Sequence, residues 1–123
     1  MTELPKRDRV LIVDDNVDGA ELTKEWLAMC GYEVAVAHDG SAALDVTSEF
    51  APTIALLDIG LPVLDGYELA RRLRTRFGSA IRLFAVTGYG QERDRALARE
   101  AGFDGYLVKP IDLDGLVARL ATP

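Results

Sequence analysis

Short runs of apolar residues alternate with amphipathic segments five times along this chain of 123 residues. The apolar runs fall at residues 10–13, 33–37, 54–57, 81–86 and 105–108. Each run has the length of a strand, and each is followed by apolar residues at helical spacing. Because strands that alternate with helices form parallel sheets covered on both faces, the pattern predicts a doubly wound α/β fold with a five-stranded parallel sheet. We expect one domain over residues 9–121, preceded by a flexible tail at residues 1–8.

Polar residues stand where these apolar runs end. Asp14 and Asp15 follow the first run, Asp58 the third, Thr87 the fourth and Lys109 the fifth. The carboxyl ends of parallel strands meet at one edge of a sheet, where ligands bind in open α/β folds. If the strand order is 2-1-3-4-5, three carboxylates converge there beside a hydroxyl and an ammonium group. A purely structural alternative is that Asp58 accepts hydrogen bonds from N–H groups of the loop that follows it.

Three carboxylates close together repel one another unless a cation lies among them. Their oxygens are hard ligands, so the expected cation is Mg²⁺. A carboxylate nucleophile beside a metal ion, a lysine and a threonine has the groups needed for phosphoryl transfer. The product of such a transfer would be an aspartyl phosphate.

Four motifs together resemble the receiver domains of two-component response regulators. They are Leu11-Ile12-Val13-Asp14-Asp15-Asn16, Leu57-Asp58-Ile59-Gly60-Leu61-Pro62 with Asp65-Gly66, Val86-Thr87-Gly88, and Tyr106-Leu107-Val108-Lys109-Pro110. Each motif alone is weak, but all four in this order and spacing are highly specific. The resemblance implies a flavodoxin-like (βα)5 fold, either as a single-domain regulator or as the receiver of a hybrid histidine kinase.

The resemblance also implies roles for the acidic residues. Asp58 is expected to accept a phosphoryl group from the phosphohistidine of a histidine kinase or a histidine phosphotransfer protein. Asp14 and Asp15 match the acidic pair that holds Mg²⁺ together with Asp58. Gly60 matches the position that supplies a backbone carbonyl oxygen to the metal ion.

Three further residues match the family's phosphoryl contacts and its switch. Thr87 and Lys109 match the hydroxyl and the lysine that contact the phosphoryl group, and Tyr106 matches the aromatic switch residue. The Lys109–Pro110 peptide bond is expected to be cis. The fourth helix has a thin apolar stripe and glycines at its ends, so we expect the fourth helix, fifth strand and last helix to form the output surface. The alternative is that Tyr106 is a fixed, half-buried aromatic residue.

Charge and hydropathy limit the class of protein. The net charge is −6, from 14 basic and 20 acidic residues, which argues against direct binding to nucleic acid. No apolar run could cross a bilayer and no signal-peptide core is present, so we expect a cytoplasmic protein without membrane insertion. We expect no DNA-binding or catalytic domain after the last helix. We therefore expect a signalling domain rather than an enzyme, acting on an unknown output protein by direct contact.

Two other functions suit the same fold class. A mononucleotide site would need a phosphate loop rich in glycine, serine or threonine after the first strand, where this chain has acids. A receiver used only for docking usually lacks one of the acids or the lysine, and none is missing here.

The apolar spacing also predicts which residues are buried. In the first helix the apolar residues at helical spacing are Leu22, Trp26, Leu27, Met29 and Cys30. Cys30 is expected to be a small buried residue near the helix end rather than a nucleophile, and His38 a solvated turn residue. In the third helix the expected outward residues are Arg71, Arg72 and Arg74.

Overall fold

The computed structural model describes residues 8–61, 64–88 and 92–122. Within these ranges five strands alternate with five α-helices. The strands are β1 (Arg9–Val13), β2 (Glu33–Ala37), β3 (Ile54–Asp58), β4 (Arg82–Thr87) and β5 (Gly105–Val108). The helices are α1 (Val17–Met29), α2 (Gly40–Phe50), α3 (Gly66–Phe77), α4 (Glu92–Ala101) and α5 (Leu113–Ala121), with a short 3₁₀ helix at Gly78–Ala80. The tail predicted at residues 1–8 lies outside the described residues, except for Asp8.

The five strands form one parallel sheet in the order β2-β1-β3-β4-β5, as predicted. In the register, Val13 at the end of β1 pairs with Leu57 of β3, and Asp58 pairs with Val86 of β4. The carboxyl ends of β1, β3 and β4 therefore lie side by side. This edge carries the polar residues that the sequence places after the strands.

Apolar residues cover both faces of the sheet and form two core clusters. Successive residues of β1 alternate between them, with Leu11 in one cluster and Ile12 in the other. Buried residues of α2, α3 and α4 complete the first cluster, and those of α1 and α5 complete the second. Because β1, β3 and β4 are covered on both sides, their ends are fixed in position relative to one another.

Three helices begin immediately after the loops at this edge, and each has an acid or amide cap. The side chains of Asn16, Asp39 and Asp65 accept hydrogen bonds from the backbone N–H three residues further along. Such caps satisfy N–H groups that the first helical turn leaves unpaired. The caps fix the first turns of α1, α2 and α3 directly after the loops at this edge of the sheet.

The buried face of helix α1 agrees only in part with the prediction, which included Leu27 but also Leu22 and Met29. Its buried residues are Ala20, Thr23 and Leu27, whereas Leu22 is 60% exposed and Met29 is 81% exposed. The small side chains of Ala20 and Thr23 permit close packing on the sheet, so the helix does not use all its large apolar residues there. The prediction that Leu22 and Met29 belong to the packed stripe was wrong.

Cys30 also differs from the prediction, because its side chain is exposed. It is the C-cap of α1, and its N–H donates to the carbonyl oxygens of Trp26 and Leu27 at the helix end. The backbone then turns at Gly31, which has a φ of 98°, before it enters β2. Its place near the helix end was correct, and its expected burial was wrong.

Arg74 was expected to face outward with Arg71 and Arg72, but it is half-buried. Its guanidinium donates to the backbone oxygens of Gly78, Ile81 and Gly102 and to the carboxylate of Asp104. These bonds tie the end of α3 to the start of β4 and to the connection between α4 and β5. Arg71 and Arg72 are exposed as predicted and share Glu68 as an ion-pair partner.

None of the helices in the described part of the chain is long and apolar enough to span a membrane.

Candidate functional site

Three carboxylates converge at the carboxyl edge of the sheet. Asp14 and Asp15 follow β1, and Asp58 ends β3, the neighbouring strand. Each offers a carboxylate oxygen, and these oxygens all lie within 4.8 Å of one another. Asp14 and Asp58 are half-buried, while Asp15 is exposed. The structure thus brings together the acids that the sequence predicted to meet.

Asp14 and Asp58 are held in the same way. Each accepts a hydrogen bond through Oδ1 from the backbone N–H two residues further along, at 2.9 Å from Asn16 and 2.9 Å from Gly60. The structural alternative for Asp58, a bond to its own loop, is therefore observed. It engages one carboxylate oxygen and leaves the other for further contacts, so it does not exclude a chemical role.

Lys109 joins the two half-buried acids. Its Nζ lies 2.9 Å from Asp14 Oδ2 and 3.4 Å from Asp58 Oδ2. Its backbone N–H donates to the carbonyl oxygen of Thr87 at 2.7 Å, which fixes the end of β5 beside the end of β4. The Lys109–Pro110 peptide bond is cis, as predicted.

The electrostatics of the cluster favour a positive charge among the acids. Burial raises the pKa of Asp58, and the charge of Asp14 raises it further, although the Gly60 N–H and Lys109 act in the opposite direction. For Lys109, burial lowers the pKa, but the bonds to Asp14 and Asp58 outweigh it, so the pKa is raised. Lys109 therefore stays protonated at neutral pH, and Asp58 is more easily ionised when another cation is near.

The donor set suits Mg²⁺. Of the residues that the structure describes, Asp14, Asp15 and Asp58 are the one group of acids, histidines or cysteines placed to share a metal ion. Mg²⁺ binds oxygen ligands, takes one or two carboxylates and keeps several waters. The exposure of Asp15 leaves an open side for those waters. Gly60 is exposed next to Asp58, and its carbonyl remains a predicted ligand.

Thr87 and Tyr106 lie on the two strands beyond Asp58. Thr87 is buried at the end of β4, directly after the residue that pairs with Asp58. Tyr106 lies in β5, where it pairs with Ala85, and it is half-buried. The guanidinium carbon of Arg95 in α4 lies 5.5 Å from the centre of the Tyr106 ring. These two residues connect the acidic edge to the face formed by α4, β5 and α5, and their switch roles stay predictions.

Gly66 is a site residue whose function the sequence did not reveal. A Cβ at this position would lie 2.6 Å from the Asp58 carbonyl oxygen and 2.6 Å from the Ile59 Cα. Only glycine permits the first residue of α3 to pack this closely on the loop. The Asp65-Gly66 pair signalled a turn in the sequence, and the close approach is what requires the glycine.

A second missed feature is a groove beside the acids, between α1 and the start of α5. It measures about 420 Å³, and its lining includes Leu22, Pro110, Ile111 and Leu113 together with Asp14 and Lys109. The exposed Leu22 that did not pack on the sheet therefore lines this groove.

His38 is exposed as predicted, and its Nδ1 lies 3.0 Å from the Asp14 carbonyl oxygen.

Comparison with known sequences agrees with this arrangement. Residues 10–121 match the family described as "Response regulator receiver domain". The chain is 38% identical over 112 residues to the response regulator MprA of Mycobacterium avium, covering 91% of this chain and 49% of that protein. It is 36% identical over 118 residues to the probable transcriptional regulator ycf27 of Guillardia theta, covering 96% and 46%. The chain thus spans about half the length of these relatives.

Solved structures of similar shape have the same architecture. A CheY-like response regulator receiver domain protein from Methanospirillum hungatei superposes with a TM-score of 0.86 at 30% identity, covering 94% of this chain and 92% of that one. The chemotaxis protein CheY4 of Vibrio cholerae gives a TM-score of 0.88 at 26% identity, covering 94% and 98%. The resemblance carried by the four sequence motifs is confirmed, and the chain belongs to the family of response regulator receiver domains of two-component signalling.

Proposed function

We propose that this protein is a phosphoacceptor that receives a phosphoryl group on Asp58 from the phosphohistidine of a histidine kinase or a histidine phosphotransfer protein, in the cytoplasm. The observation that carries the proposal is the meeting of three carboxylates within 4.8 Å, with Lys109 bound to two of them. A mononucleotide site would instead present N–H groups without acids to a phosphate, because carboxylates repel it.

Asp58 is the better nucleophile of the two acids that contact Lys109. It ends β3 at the middle of the sheet, between β1 with its two acids and β4 with Thr87. Its Oδ2 is 3.4 Å from Lys109 Nζ, whereas Asp14 Oδ2 is held at 2.9 Å. Because the Asp58 oxygen has the weaker contact with Lys109, it loses less interaction energy when it forms a bond to phosphorus.

In the transfer, an Asp58 carboxylate oxygen attacks the phosphorus atom of the phosphohistidine. The new O–P bond forms as the P–N bond breaks, and the electron pair of that bond stays on the imidazole nitrogen. The Lys109 ammonium offsets charge on the phosphoryl oxygens, and the Thr87 hydroxyl donates a hydrogen bond to one of them. Asp14, Asp15, Asp58 and the Gly60 carbonyl would hold Mg²⁺, which would supply further positive charge beside those oxygens.

The groove between α1 and the start of α5 supports docking of a phosphohistidine protein. Leu22 lines it from α1, and Ile111 and Leu113 line it from the other side. Val17, on the first turn of α1, is also exposed. A partner that buries these apolar side chains would hold its histidine beside Asp58 without using the acids for binding.

Phosphorylation is proposed to act on the surface of α4, β5 and α5 through Thr87 and Tyr106. New acceptor oxygens on Asp58 attract the Thr87 hydroxyl, which makes space beside β4 for the Tyr106 ring. The described buried side chains of α4 are the small Ala98 and Ala101, so a shift of this helix disturbs little packing. The switch is a shift in the populations of two arrangements of this face.

Labelling with a small phosphodonor tests the acceptor. In the presence of Mg²⁺, intact mass is expected to increase by one phosphoryl group, and Asp58→Asn should abolish the increase. Asp45→Asn, an exposed acid on α2, is the matched control and should label normally. Equal labelling of Asp58→Asn and the wild type would mean that another residue is the acceptor.

Calorimetry tests the metal ligands. We expect weak, saturable Mg²⁺ binding that Asp15→Ala largely removes, because this substitution deletes one of the converging carboxylates. Unchanged affinity in that variant would contradict the assignment of the metal site.

The switch is tested by NMR with beryllofluoride as a stand-in for the phosphoryl group. Amide shifts should concentrate at residues 87–106 and near residues 110–120. Shifts limited to the loops that hold Asp14, Asp58 and Lys109 would favour the alternative in which Tyr106 is fixed.

A further inference from the structure

We propose that the groove formed by α4, β5 and α5 binds an acidic segment of the output protein through Arg95, Arg99 and Arg119. The inference rests on the proposed function, in which this face is the output surface, and it adds the chemistry of the partner. The groove measures about 450 Å³, and these arginines line it together with Phe103 and Tyr106.

The three arginines come from two helices, α4 and α5, and line one groove. Arg95 and Arg99 are four residues apart on α4, so they lie on the same side of that helix, and Arg119 faces them from α5. All three residues are exposed. Among the side chains that the structure describes, which on α4 begin at Arg95, no carboxylate forms an ion pair with any of them.

Among the side chains that the structure describes, Asp104 is the one acid that lines the groove, and one oxygen of its carboxylate is already engaged. Its Oδ2 accepts hydrogen bonds from Arg74 at 2.7 Å and from the Leu83 N–H at 2.8 Å. These bonds hold the carboxylate toward α3 and β4. Asp104 therefore neutralises little of the positive charge that the three arginines bring to the groove.

Aromatic rings hold two of the arginines in place. The guanidinium of Arg95 lies over Tyr106, and that of Arg119 lies 5.6 Å from the centre of the Phe84 ring. Gly105 makes room for the second pair, because a Cβ there would lie 2.6 Å from Phe84 and 2.8 Å from Arg119 Nη2. A guanidinium stacked on a ring keeps its N–H edge available, and that edge matches a carboxylate in two parallel hydrogen bonds.

Charge complementarity favours an acidic protein segment over two other occupants. A second copy of this chain docked by the same face would bring like charges together across the interface. A nucleic acid would meet a protein whose net charge is −6, which opposes approach of a polyanion. A short acidic segment can enter the groove and bind the local positive charge while keeping away from the rest of the surface.

The same contacts link the groove to the switch. Tyr106 lies against Arg95, so a turn of the Tyr106 ring on phosphorylation of Asp58 removes the surface on which Arg95 rests. The affinity for the acidic segment is therefore expected to differ between the two states of the domain.

The test is fluorescence anisotropy with a fluorescein-labelled peptide of alternating glutamate and leucine, titrated with the protein with and without beryllofluoride. Binding should weaken about five- to tenfold in Arg99→Gln and in Arg119→Gln, and it should weaken on adding salt. Arg71→Gln is the control, since it removes the same charge from α3, where Arg71 is paired with Glu68. It should bind within about twofold of the wild type.

Several outcomes would overturn the proposal. One is that the glutamate peptide binds in neither state, or that Arg71→Gln and Arg99→Gln weaken its binding equally. Another is that a lysine–leucine peptide binds equally well, or a DNA duplex more tightly. The last is that the protein forms a dimer that Arg119→Gln abolishes. Circular dichroism of each variant establishes that it is folded. If Asp58 is labelled normally while the peptide does not bind, the groove is wrong and the phosphoacceptor stands. If the peptide binds in an arginine-dependent way while Asp58 is not labelled, the phosphoacceptor is wrong and the groove stands.

Discussion

Gly66 lies against Asp58 so closely that a Cβ at Gly66 would be 2.6 Å from the Asp58 carbonyl oxygen. The N-terminus of α3 and the loop with the candidate acceptor are therefore packed backbone to backbone. Asp65 caps the same helix end through a bond to the Glu68 N–H. The position of Asp58 depends on the helix start that follows it in the chain.

Gly66→Ala should destabilise the fold by about 1–3 kcal/mol, because the methyl group meets backbone atoms that cannot move aside easily. It should also slow labelling of Asp58 by displacing the loop. Urea unfolding and the time course of labelling measure the two effects.

In Gly115→Ala, the nearest atom to the new Cβ is Asp112 Oδ2, the end of a movable side chain. This control should be neutral or stabilising by up to about 1 kcal/mol. Wild-type stability and labelling in Gly66→Ala would show that the close approach has no consequence.

Asp58→Asn should raise the melting temperature at neutral pH without Mg²⁺. Burial raises the Asp58 pKa above its ordinary value of 3.8, so the folded protein disfavours the ionised carboxylate. The wild type therefore loses stability relative to the variant as the pH rises from about 3.8 to the raised pKa of the folded state. Above that pH the advantage of the variant is complete, and below 3.8 it is absent.

Melting curves of both proteins across this pH range measure the effect, with Asp45→Asn as an exposed control. Added Mg²⁺ should reverse the order of stability, because it binds the folded wild type more strongly than the variant. A variant less stable than the wild type at neutral pH without metal would refute the prediction.

Arg74→Ala should cost about 2–3 kcal/mol of unfolding free energy, because several backbone carbonyls and Asp104 lose their donor together. Arg71→Ala removes an exposed arginine from the same helix and should change stability by about 0.5 kcal/mol or less. Chemical unfolding of the two variants compares them directly. Equal effects would mean that the bonds of Arg74 add nothing beyond those of a surface arginine.

Leu27→Ala and Leu22→Ala separate the two sides of α1. Leu27 is fully buried, so its truncation should cost about 2–5 kcal/mol, while the exposed Leu22 should change stability by about 0.5 kcal/mol or less. Urea unfolding gives both values. The reverse order would mean that α1 packs on the sheet through Leu22 rather than through Leu27.

The fold and the acidic cluster could be predicted because their signals are local in the sequence. The apolar runs alternate with helical spacing, and Asp14, Asp58 and Lys109 stand directly after strands, so parallel packing alone brings them to one edge. The cis bond after Lys109 could be predicted because a proline follows it within a motif that resembles those of receiver domains.

The remaining features depend on contacts between distant parts of the chain. The buried face of α1 carries the small residues Ala20 and Thr23, which contribute little to an apolar pattern, while the larger Leu22 and Met29 lie outside it. The partners of Arg74 lie beyond the end of its helix, up to Asp104. The arginine groove is formed by two helices that are separate in sequence and adjacent only through β5.

The strand order also determines when the site is completed during synthesis. β1 leaves the ribosome first and becomes an interior strand, and its acids meet Asp58 once β3 has been made. Lys109 follows β5, the edge strand made last, so a nascent chain can assemble the mutually repelling carboxylates before it has the lysine that holds two of them. A chain truncated before Lys109 would have to draw on dissolved cations alone, and competence to be phosphorylated would mark a chain in which all five strands of the sheet have been made.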